Sequence, residues 1–159
     1  MNEKKPILFA TDGSPSAADA QHEAFELAQA LEAPLLVVSV AHPVLPATGY
    51  AGYGYTDIVA DLTEAERKRL EKLLATTAAA AYAAGVQCST VVADGFPIDE
   101  ICRVAAESGA RLLVVGSHGW GAARRLFSGS VSTGLVHSAP CPVLVVRARP
   151  EAGEHAAAA

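Results

Sequence analysis

The sequence predicts a three-layer α/β/α domain built on a mainly parallel, five-stranded sheet. Short, continuous apolar runs alternate along the chain with longer segments in which apolar residues recur at spacings of three and four. The first pattern is typical of strands that are buried on both faces, and the second is typical of amphipathic helices. Because the two kinds of segment alternate throughout, we expect parallel strands joined by right-handed helical crossovers.

Length and charge narrow the class of protein. The chain has 159 residues, 51% of them hydrophobic, and a formal net charge of −5. This length predicts one domain, which we place at residues 1–149, followed by a frayed tail at residues 150–159. The basic residues are scattered, and the cluster Arg67-Lys68-Arg69 is interpreted as a solvated helix face. A nucleic-acid surface is therefore not expected, since it needs clustered cations.

The first third of the chain predicts a strand, a helix and a second strand. Residues 6–10 form an apolar run, and in the turn that follows, Ser14 is expected to cap a helix with Pro15 in its first turn. A second apolar run occupies residues 35–40. The helix between them shows an inward face formed by Ala17, Ala20, Ala24, Leu27, Ala28 and Leu31.

A long irregular segment follows at residues 42–56. Prolines and glycines interleave there with tyrosines, and such a composition sustains neither helix nor strand. Long loops of this kind either serve a binding site or lie on the surface. Both interpretations remain open: a lid over a ligand, or a surface loop.

The rest of the chain predicts three more strands and three more helices. Thr63 and Glu66 form a capping box that is expected to open a helix ending near Gly85. The strand at residues 86–93 is more polar than the others, which favours a position near the sheet edge. A helix closed by Gly109, a strand at residues 112–115, a short helix and a strand at residues 141–146 complete the domain. The inward faces of the two longer helices are formed by Leu70, Leu73, Leu74, Thr77 and Ala81 and by Ile98, Ile101, Cys102 and Ala105.

The cysteines and the apolar segments indicate a cytoplasmic protein. Cys88, Cys102 and Cys141 show neither metal-ligand spacing nor the pattern of a disulfide framework, so we expect buried, reduced thiols. No apolar stretch approaches the roughly 20 residues that span a bilayer, and the N-terminal segment lacks the apolar core of a signal peptide. A membrane is therefore not expected as a partner.

A glycine-rich segment, residues 116–132, carries the main functional signal. It lies between a predicted strand and a predicted helix, and it contains Gly116, Gly119 and the pair Gly129-Ser130. Such a segment lets the backbone approach a phosphate, and the unpaired N–H groups of the next helix attract an anion. The pattern is neither a Walker loop nor a dinucleotide fingerprint. A phosphate cradle and a purely structural loop both remain open.

A second loop is expected to face this segment. In open parallel sheets, ligands bind beyond the carboxyl ends of the strands where the strand order reverses. If the fourth strand lies beside the first, Asp12 meets the glycine-rich segment across that crevice. Its carboxylate could then bond a sugar hydroxyl or hold a Mg²⁺ ion that bridges phosphates. The alternative is that Asp12 forms an Asx turn that prepares the following helix.

Other polar residues of the segment have weaker signals. His118 is a phosphate-side donor or a solvated side chain, and no partner carboxylate at a telling spacing marks it as a base. Arg124 and Arg125 either clamp a terminal phosphate or are solvated. Serine hydrolysis is not expected, because the Gly-x-Ser-x-Gly pattern is absent from the sequence.

The sequence resembles the universal stress proteins. The order Gly116-x-x-Gly119, nine residues, then Gly129-Ser130 is similar to the nucleotide-binding motif of that family. The surrounding words VVGSHGWG, LFSGSVS and APCPVLVV are also similar, and the likeness extends from ILFATDGSPSA to Arg147. The resemblance implies strand order 3-2-1-4-5, that of a Rossmann-like half related to the adenine-nucleotide alpha hydrolases. It also implies a homodimer through the fifth strands, alone or associated in a tetramer.

The full set of glycines resembles the branch of the family that binds ATP. Trp120 stands where many members carry a basic residue, which leaves charge neutralisation to Arg124, Arg125 or Mg²⁺, with Asp12 holding that ion indirectly. The resemblance implies that the first loop approaches the nucleotide, that residue 40 meets adenine through its backbone, and that the glycine-rich segment holds ribose and phosphates. The implied binding residues are Ala10, Asp12, Val40, Gly116, His118, Gly119, Gly129, Ser130, Val131 and Ser132.

Three functions are compatible with this interpretation. The first is a nucleotide-dependent regulatory module of the stress response with little or no turnover, since the cradle shows no evident water-activating residue. The second is a slow, Mg²⁺-dependent ATP hydrolase or phosphoryl transferase that uses Asp12 and His118. The third is a dimeric scaffold or chaperone-like protein that needs no nucleotide.

Overall fold

The structure is a computed structural model that describes residues 4–42, 55–117 and 130–148. Strands β1 (Ile7–Ala10), β2 (Leu35–Ala41), β3 (Cys88–Asp94), β4 (Leu112–Gly116) and β5 (Val143–Val146) form one sheet in the order β3-β2-β1-β4-β5. Every pairing is parallel. The fold class and the strand order expected from the sequence are confirmed.

Helices cover both faces of the sheet, because alternate residues of each buried strand point to opposite sides. Ile7 and Phe9 of β1 pack in one apolar cluster with α1 (Pro15–Ala30) and α2 (Tyr55–Ala83). Leu8 and Ala10 pack in a second cluster with α3 (Pro97–Glu107) and α4 (Ser130–Ser138). The central strand β1 is thus buried on both sides, as its continuous apolar run predicts.

The polar strand β3 lies at the sheet edge, as expected from its sequence. Ser89 and Thr90 are exposed there, whereas the core is supplied by Ala93. At the opposite edge, all four residues of β5 are partly exposed. The sheet therefore buries its centre and leaves its two outer strands in partial contact with solvent.

The start of α2 differs from the expectation. Thr63 was expected to cap this helix together with Glu66, but the helix begins at Tyr55, which also shortens the predicted loop at residues 42–56. The Thr63 hydroxyl instead donates to the carbonyl of Val59, 2.8 Å away, one turn earlier. A threonine inside a helix satisfies its hydroxyl in this way, so a cap-like sequence need not mark a helix end. The remainder of that loop, residues 43–54, lies outside the described residues.

The end of α2 agrees with the sequence. The helix ends at Ala83, and Gly85 adopts a φ of 75°. The amide of Gly85 donates to Tyr82 and that of Val86 donates to Ala81, which is the hydrogen-bond pattern of a glycine-terminated helix.

Three smaller expectations are corrected. Leu31 is 38% exposed rather than inward, because α1 ends just before it. The fifth strand begins at Val143, so Cys141 precedes it. The three cysteines are free but only partly buried, and burial raises the pKa of each thiol. The predicted tail at residues 150–159 lies outside the described residues.

Candidate functional site

A cavity of about 460 Å³ opens at the carboxyl end of the sheet, between the loops that follow β1 and β4. This volume lies within the range of small-molecule sites. The two strands are neighbours in the sheet, and their connections lead to opposite faces, so the crevice expected from the sequence is present. Its lining residues come from β1, β2, β4, α1, α3, α4 and the loops after β1 and β4: Ala10, Thr11, Asp12, Ser14, Ala17, Val38, Val40, Pro97, Ile101, Val115, Gly116, Ser117, Ser130, Val131, Ser132 and Leu135.

Hydrogen bonds hold the loop between β1 and α1 in one shape. The Thr11 amide donates to Val38 at 3.0 Å, and the buried Ser39 hydroxyl donates to the Thr11 carbonyl at 2.7 Å. The Gly13 amide donates to the Thr11 hydroxyl at 3.1 Å. These bonds tie the loop to the neighbouring strand β2 at the point where it enters the cavity.

Asp12 forms the Asx turn that was one of its two predicted roles. Its Oδ1 accepts a hydrogen bond of 2.9 Å from the Ser14 amide. Ser14 occupies the N-cap position of α1 and Pro15 the first turn, as expected, but the Ser14 side chain makes no capping hydrogen bond. The Asx turn therefore orders the start of α1 in the absence of a side-chain cap. The Asp12 carboxylate remains at the cavity, so its predicted role toward a ligand is compatible with this turn.

Gly116 brings β4 into close contact with the first turn of α1. A Cβ atom at this position would lie 2.7 Å from the Ser16 hydroxyl oxygen and 2.9 Å from the Ser16 carbonyl oxygen. The absence of a side chain is therefore a packing requirement in addition to any contact with a ligand. The structural and the functional interpretations of this glycine are compatible.

The first turn of α4 closes the cavity on the side opposite α1. Ser130, Val131 and Ser132 line it, and the N-terminus of a helix attracts an anion. The buried Ser132 hydroxyl donates to the Ser117 carbonyl at 3.3 Å, which ties α4 to the end of β4.

The predicted site residues divide into two groups. Ala10, Asp12, Val40, Gly116, Ser130, Val131 and Ser132 all lie at the cavity, and their roles toward a ligand stay predictions. The segment at residues 118–129 lies outside the described residues, so the structure does not test His118, Gly119, Gly129, Arg124 or Arg125.

Part of the cavity wall was not predicted from the sequence. Pro97, Ile101 and Leu135 contribute apolar surface from α3 and α4. The inward spacing of Ile101 marked it as a core residue, and nothing in its local sequence distinguishes a core position from a cavity wall. Ser39 was also missed, although a serine inside an apolar strand is a signal of a buried hydrogen bond.

The cluster Arg67-Lys68-Arg69 was interpreted as a solvated face, and this is confirmed, since the three side chains are 39%, 71% and 45% exposed. The two arginines also reach other elements. Nη1 of Arg67 donates to both carboxylate oxygens of Asp94, at 2.9 and 2.8 Å, at the end of β3. Nη1 of Arg69 lies 3.4 Å from the Asp12 carbonyl oxygen. Both arginines therefore connect α2 to the carboxyl edge of the sheet, while Lys68 pairs with Glu64 on the same helix.

The electrostatic character of the cavity is simple in the part of the chain that the structure describes. Asp12 is the one ionisable side chain among the lining residues there. No group of three or more His, Cys, Asp or Glu side chains with metal-binding geometry occurs among the described residues. The described helices also include none that is long and apolar enough to cross a bilayer.

Fold and cavity define an open, parallel α/β protein with a small-molecule-sized cavity at its topological switch point. The chain matches the sequence model of the Universal stress protein family over residues 4–147, and it belongs to that family. A universal stress protein of Thermus aquaticus is 39% identical over 144 residues, which cover 90% of this chain and 98% of that relative.

Solved structures of the family share the fold. The universal stress protein UspA from Lactobacillus plantarum superposes with a TM-score of 0.80 at 25% identity, covering 92% of this chain and 100% of that chain. A universal stress protein in complex with cAMP has a TM-score of 0.66 at 26% identity, covering 93% of this chain and 100% of that one.

Proposed function

We propose that this universal stress protein binds an adenine nucleotide, ATP, in the cavity between β1 and β4 and acts as a nucleotide-dependent regulatory module of the stress response. The observation that carries the proposal is the meeting of Asp12 and the first turn of α4 across one cavity. A carboxylate suits sugar hydroxyls or Mg²⁺, and helix amides suit phosphates.

The apolar part of the cavity suits a base. Val38, Val40, Pro97 and Ile101 form the part of its wall that comes from β2 and α3. The solved complex of a family member with cAMP supports an adenine ligand, since that protein shares both the fold and the family. In the proposed orientation, adenine lies against Val40 and the phosphates lie at Ser130 to Ser132, with Gly116, Gly119, Gly129 and His118 contributing from the glycine-rich segment.

Little or no turnover is proposed. Hydrolysis of ATP needs a group that orients or deprotonates water. Among the described lining residues the one ionisable group is Asp12, and its Oδ1 already accepts the Ser14 amide. A site of this composition is better suited to holding a nucleotide than to cleaving it.

The test is thermal unfolding with ATP, AMP or cAMP, each with and without Mg²⁺. A ligand at about a hundred times its dissociation constant stabilises the protein by roughly 2.7 kcal/mol. For a domain of this size, that stabilisation raises Tm by about 5 to 10 °C. No shift with any of the three nucleotides would contradict the proposal. Release of many phosphates per protein per minute would contradict the regulatory assignment and favour an enzyme.

A matched pair of variants on α4 locates the ligand. Val131 lines the cavity and is 37% exposed, whereas Val136 on the same helix is 55% exposed and is absent from the cavity wall. Val131→Trp fills the cavity and is expected to abolish the nucleotide shift. Val136→Trp places the same bulk outside the cavity and is expected to keep it. Equal shifts in both variants would place the ligand elsewhere.

We also propose a homodimer formed through β5. This strand lies at a sheet edge and its four apolar residues are partly exposed, and such an edge invites pairing with a second strand. Sedimentation velocity is expected to give twice the mass of one chain, or four times that mass if dimers associate. A monomer at micromolar concentration would contradict the proposed dimer.

We also propose that the protein is cytoplasmic, because its three free thiols match a reducing compartment.

A further inference from the structure

Arg69 of α2 lies against the loop that carries Asp12. Its Nη1 lies 3.4 Å from the Asp12 carbonyl oxygen, and the position of a Cβ at Gly13 would be 3.7 Å from the same nitrogen. The guanidinium is held in this place by Glu66, one turn earlier on the helix. Nε and Nη2 of Arg69 donate to the two carboxylate oxygens of Glu66, each at 2.7 Å. A two-point pair of this kind fixes the plane of the guanidinium group.

Charge reinforces this arrangement. The hydrogen bonds that Arg69 donates to the Glu66 carboxylate, and more weakly the charge of Asp12, raise the pKa of Arg69. The guanidinium therefore presents a permanent positive charge to the outer side of the loop.

Among the described residues, the contact reaches the cavity through Asp12. Arg69 is absent from the residues that line the cavity, whereas Asp12 is among them. The Asp12 carbonyl faces Arg69 while its carboxylate accepts the Ser14 amide. Arg69 of α2 thus contacts the Asp12 peptide unit through its carbonyl. The Ser14 amide, at the start of α1, holds the Asp12 side chain through its carboxylate. A change in the position of α2 would turn this peptide and redirect the carboxylate.

We propose that Arg69 is a positioning residue of the nucleotide site, which holds the Asp12 carbonyl so that the Asp12 carboxylate meets the sugar of the bound nucleotide. This inference rests on the proposed function and adds to it a link between helix α2 and ligand affinity. Arg69 acts on the sugar end of the ligand through Asp12 and makes no contact with the phosphates.

The same helix supplies a matched control. Arg67 is two residues away, has a similarly exposed side chain, and pairs with Asp94 at the end of β3. Asp94 is absent from the cavity wall. Arg67→Gln therefore removes an ion pair between α2 and the carboxyl edge of the sheet without touching the loop of Asp12.

The first experiment needs no ligand. Amide hydrogen exchange is measured for Gly13 and Ser14, whose N–H groups bond Thr11 and Asp12 inside the loop. Arg69→Gln is expected to speed their exchange by about 3- to 10-fold, since the loop loses a contact that holds it closed. Arg67→Gln is expected to leave their exchange unchanged. Unchanged exchange in Arg69→Gln would overturn the inference whether or not the protein binds a nucleotide.

The second experiment separates sugar from phosphate by calorimetric titration with adenosine and with ATP. Arg69→Gln is expected to weaken both ligands by the same factor, about 3- to 10-fold, because Asp12 is proposed to meet the sugar that they share. In the background of Asp12→Ala, Arg69→Gln is expected to have no further effect on either ligand, since the group through which it acts is gone. Weaker ATP binding with unchanged adenosine binding would show a direct phosphate contact and overturn the inference.

The two proposals fail separately. If the native protein binds neither adenosine nor ATP, the proposed function is wrong, and the exchange rates of Gly13 and Ser14 still decide whether Arg69 holds the loop. If the native protein binds both ligands and Arg69→Gln binds them equally well, the inference about Arg69 is wrong and the proposed function stands.

Discussion

The hydroxyl of Ser39 on β2 donates a hydrogen bond of 2.7 Å to the carbonyl of Thr11, the first residue of the loop between β1 and α1. Both residues are buried. The bond continues the connection between the two strands one residue beyond the last paired positions, Ala10 and Val38. It therefore fixes the direction in which the chain leaves the sheet toward Asp12.

Ser39→Ala is expected to destabilise the protein by about 1 to 3 kcal/mol, because the buried Thr11 carbonyl loses its donor. Urea unfolding measures the loss. Ser89→Ala is the matched control, since Ser89 lies on the adjacent strand β3 but is exposed, and it is expected to change little. Equal effects of the two substitutions would show that the bond to Thr11 contributes nothing specific.

Gly116→Ala tests the close contact between β4 and α1. The added Cβ would lie 2.7 Å from the Ser16 hydroxyl and 2.9 Å from the Ser16 carbonyl, so one of the two elements must move. We expect a loss of about 1 to 3 kcal/mol in the free energy of unfolding. Adding Ser16→Ala removes the hydroxyl but leaves the backbone contact, and is therefore expected to recover only part of the stability. Full stability of Gly116→Ala alone would contradict the packing argument.

The C-terminal ends of α1 and α3 predict opposite effects of two glycine substitutions on stability. Both helices end in the same pattern of backbone hydrogen bonds, but the left-handed position is Gly109 after α3 and Glu32 after α1, with φ of 60° and 46°. Gly109→Ala is expected to cost about 1 kcal/mol, because a Cβ there meets no atom within 4 Å and only the backbone conformation opposes it. Glu32→Gly is expected to raise Tm, since it relieves the same strain.

The control for Glu32→Gly removes its ion pair alone. Glu32 pairs with Lys4 at 2.7 Å on the surface, so Lys4→Ala deletes this pair without changing the backbone. Exposed pairs of this kind contribute little. Calorimetric Tm values of the three variants are compared with the native protein. If Glu32→Gly lowers Tm as Lys4→Ala does, or further, the ion pair outweighs the strain and the prediction is wrong.

The fold could be predicted from the sequence because its signals are local. The polar residues Ser89 and Thr90 placed β3 near an edge, and the continuous apolar run of residues 6–10 predicted that β1 is buried on both faces. The crevice followed from a general rule about parallel sheets, and both predicted loops line one cavity. The family resemblance supplied the strand order, which alternation alone leaves open.

Features that depend on contacts between distant residues could not be predicted in this way. Arg69 and Asp12 are 57 residues apart, and their contact requires the packing of α2 beside the loop after β1.

Two local features were not predicted either. Thr63 has the sequence of a helix cap, but it lies inside the helix, where its hydroxyl bonds one turn back. The left-handed conformation of Glu32 has no sequence signal at all, since glycine usually occupies such a position.

The pair of Arg69 and Glu66 predicts a pH dependence. The hydrogen bonds from Arg69 lower the pKa of Glu66 from its usual value of 4.5. A carboxyl whose pKa is lower in the folded than in the unfolded state stabilises the fold at neutral pH, and this contribution is lost as pH falls through the lowered value. Glu66→Gln is therefore expected to be less stable than the native protein at pH 7, and the difference should disappear in acid.

Carboxyl NMR shifts measure the titration of Glu66 directly. In Arg69→Gln the Glu66 midpoint is expected to return toward 4.5, whereas in Arg67→Gln it should stay low, and a midpoint that is unchanged in Arg69→Gln would show that Glu66 does not hold the guanidinium in solution.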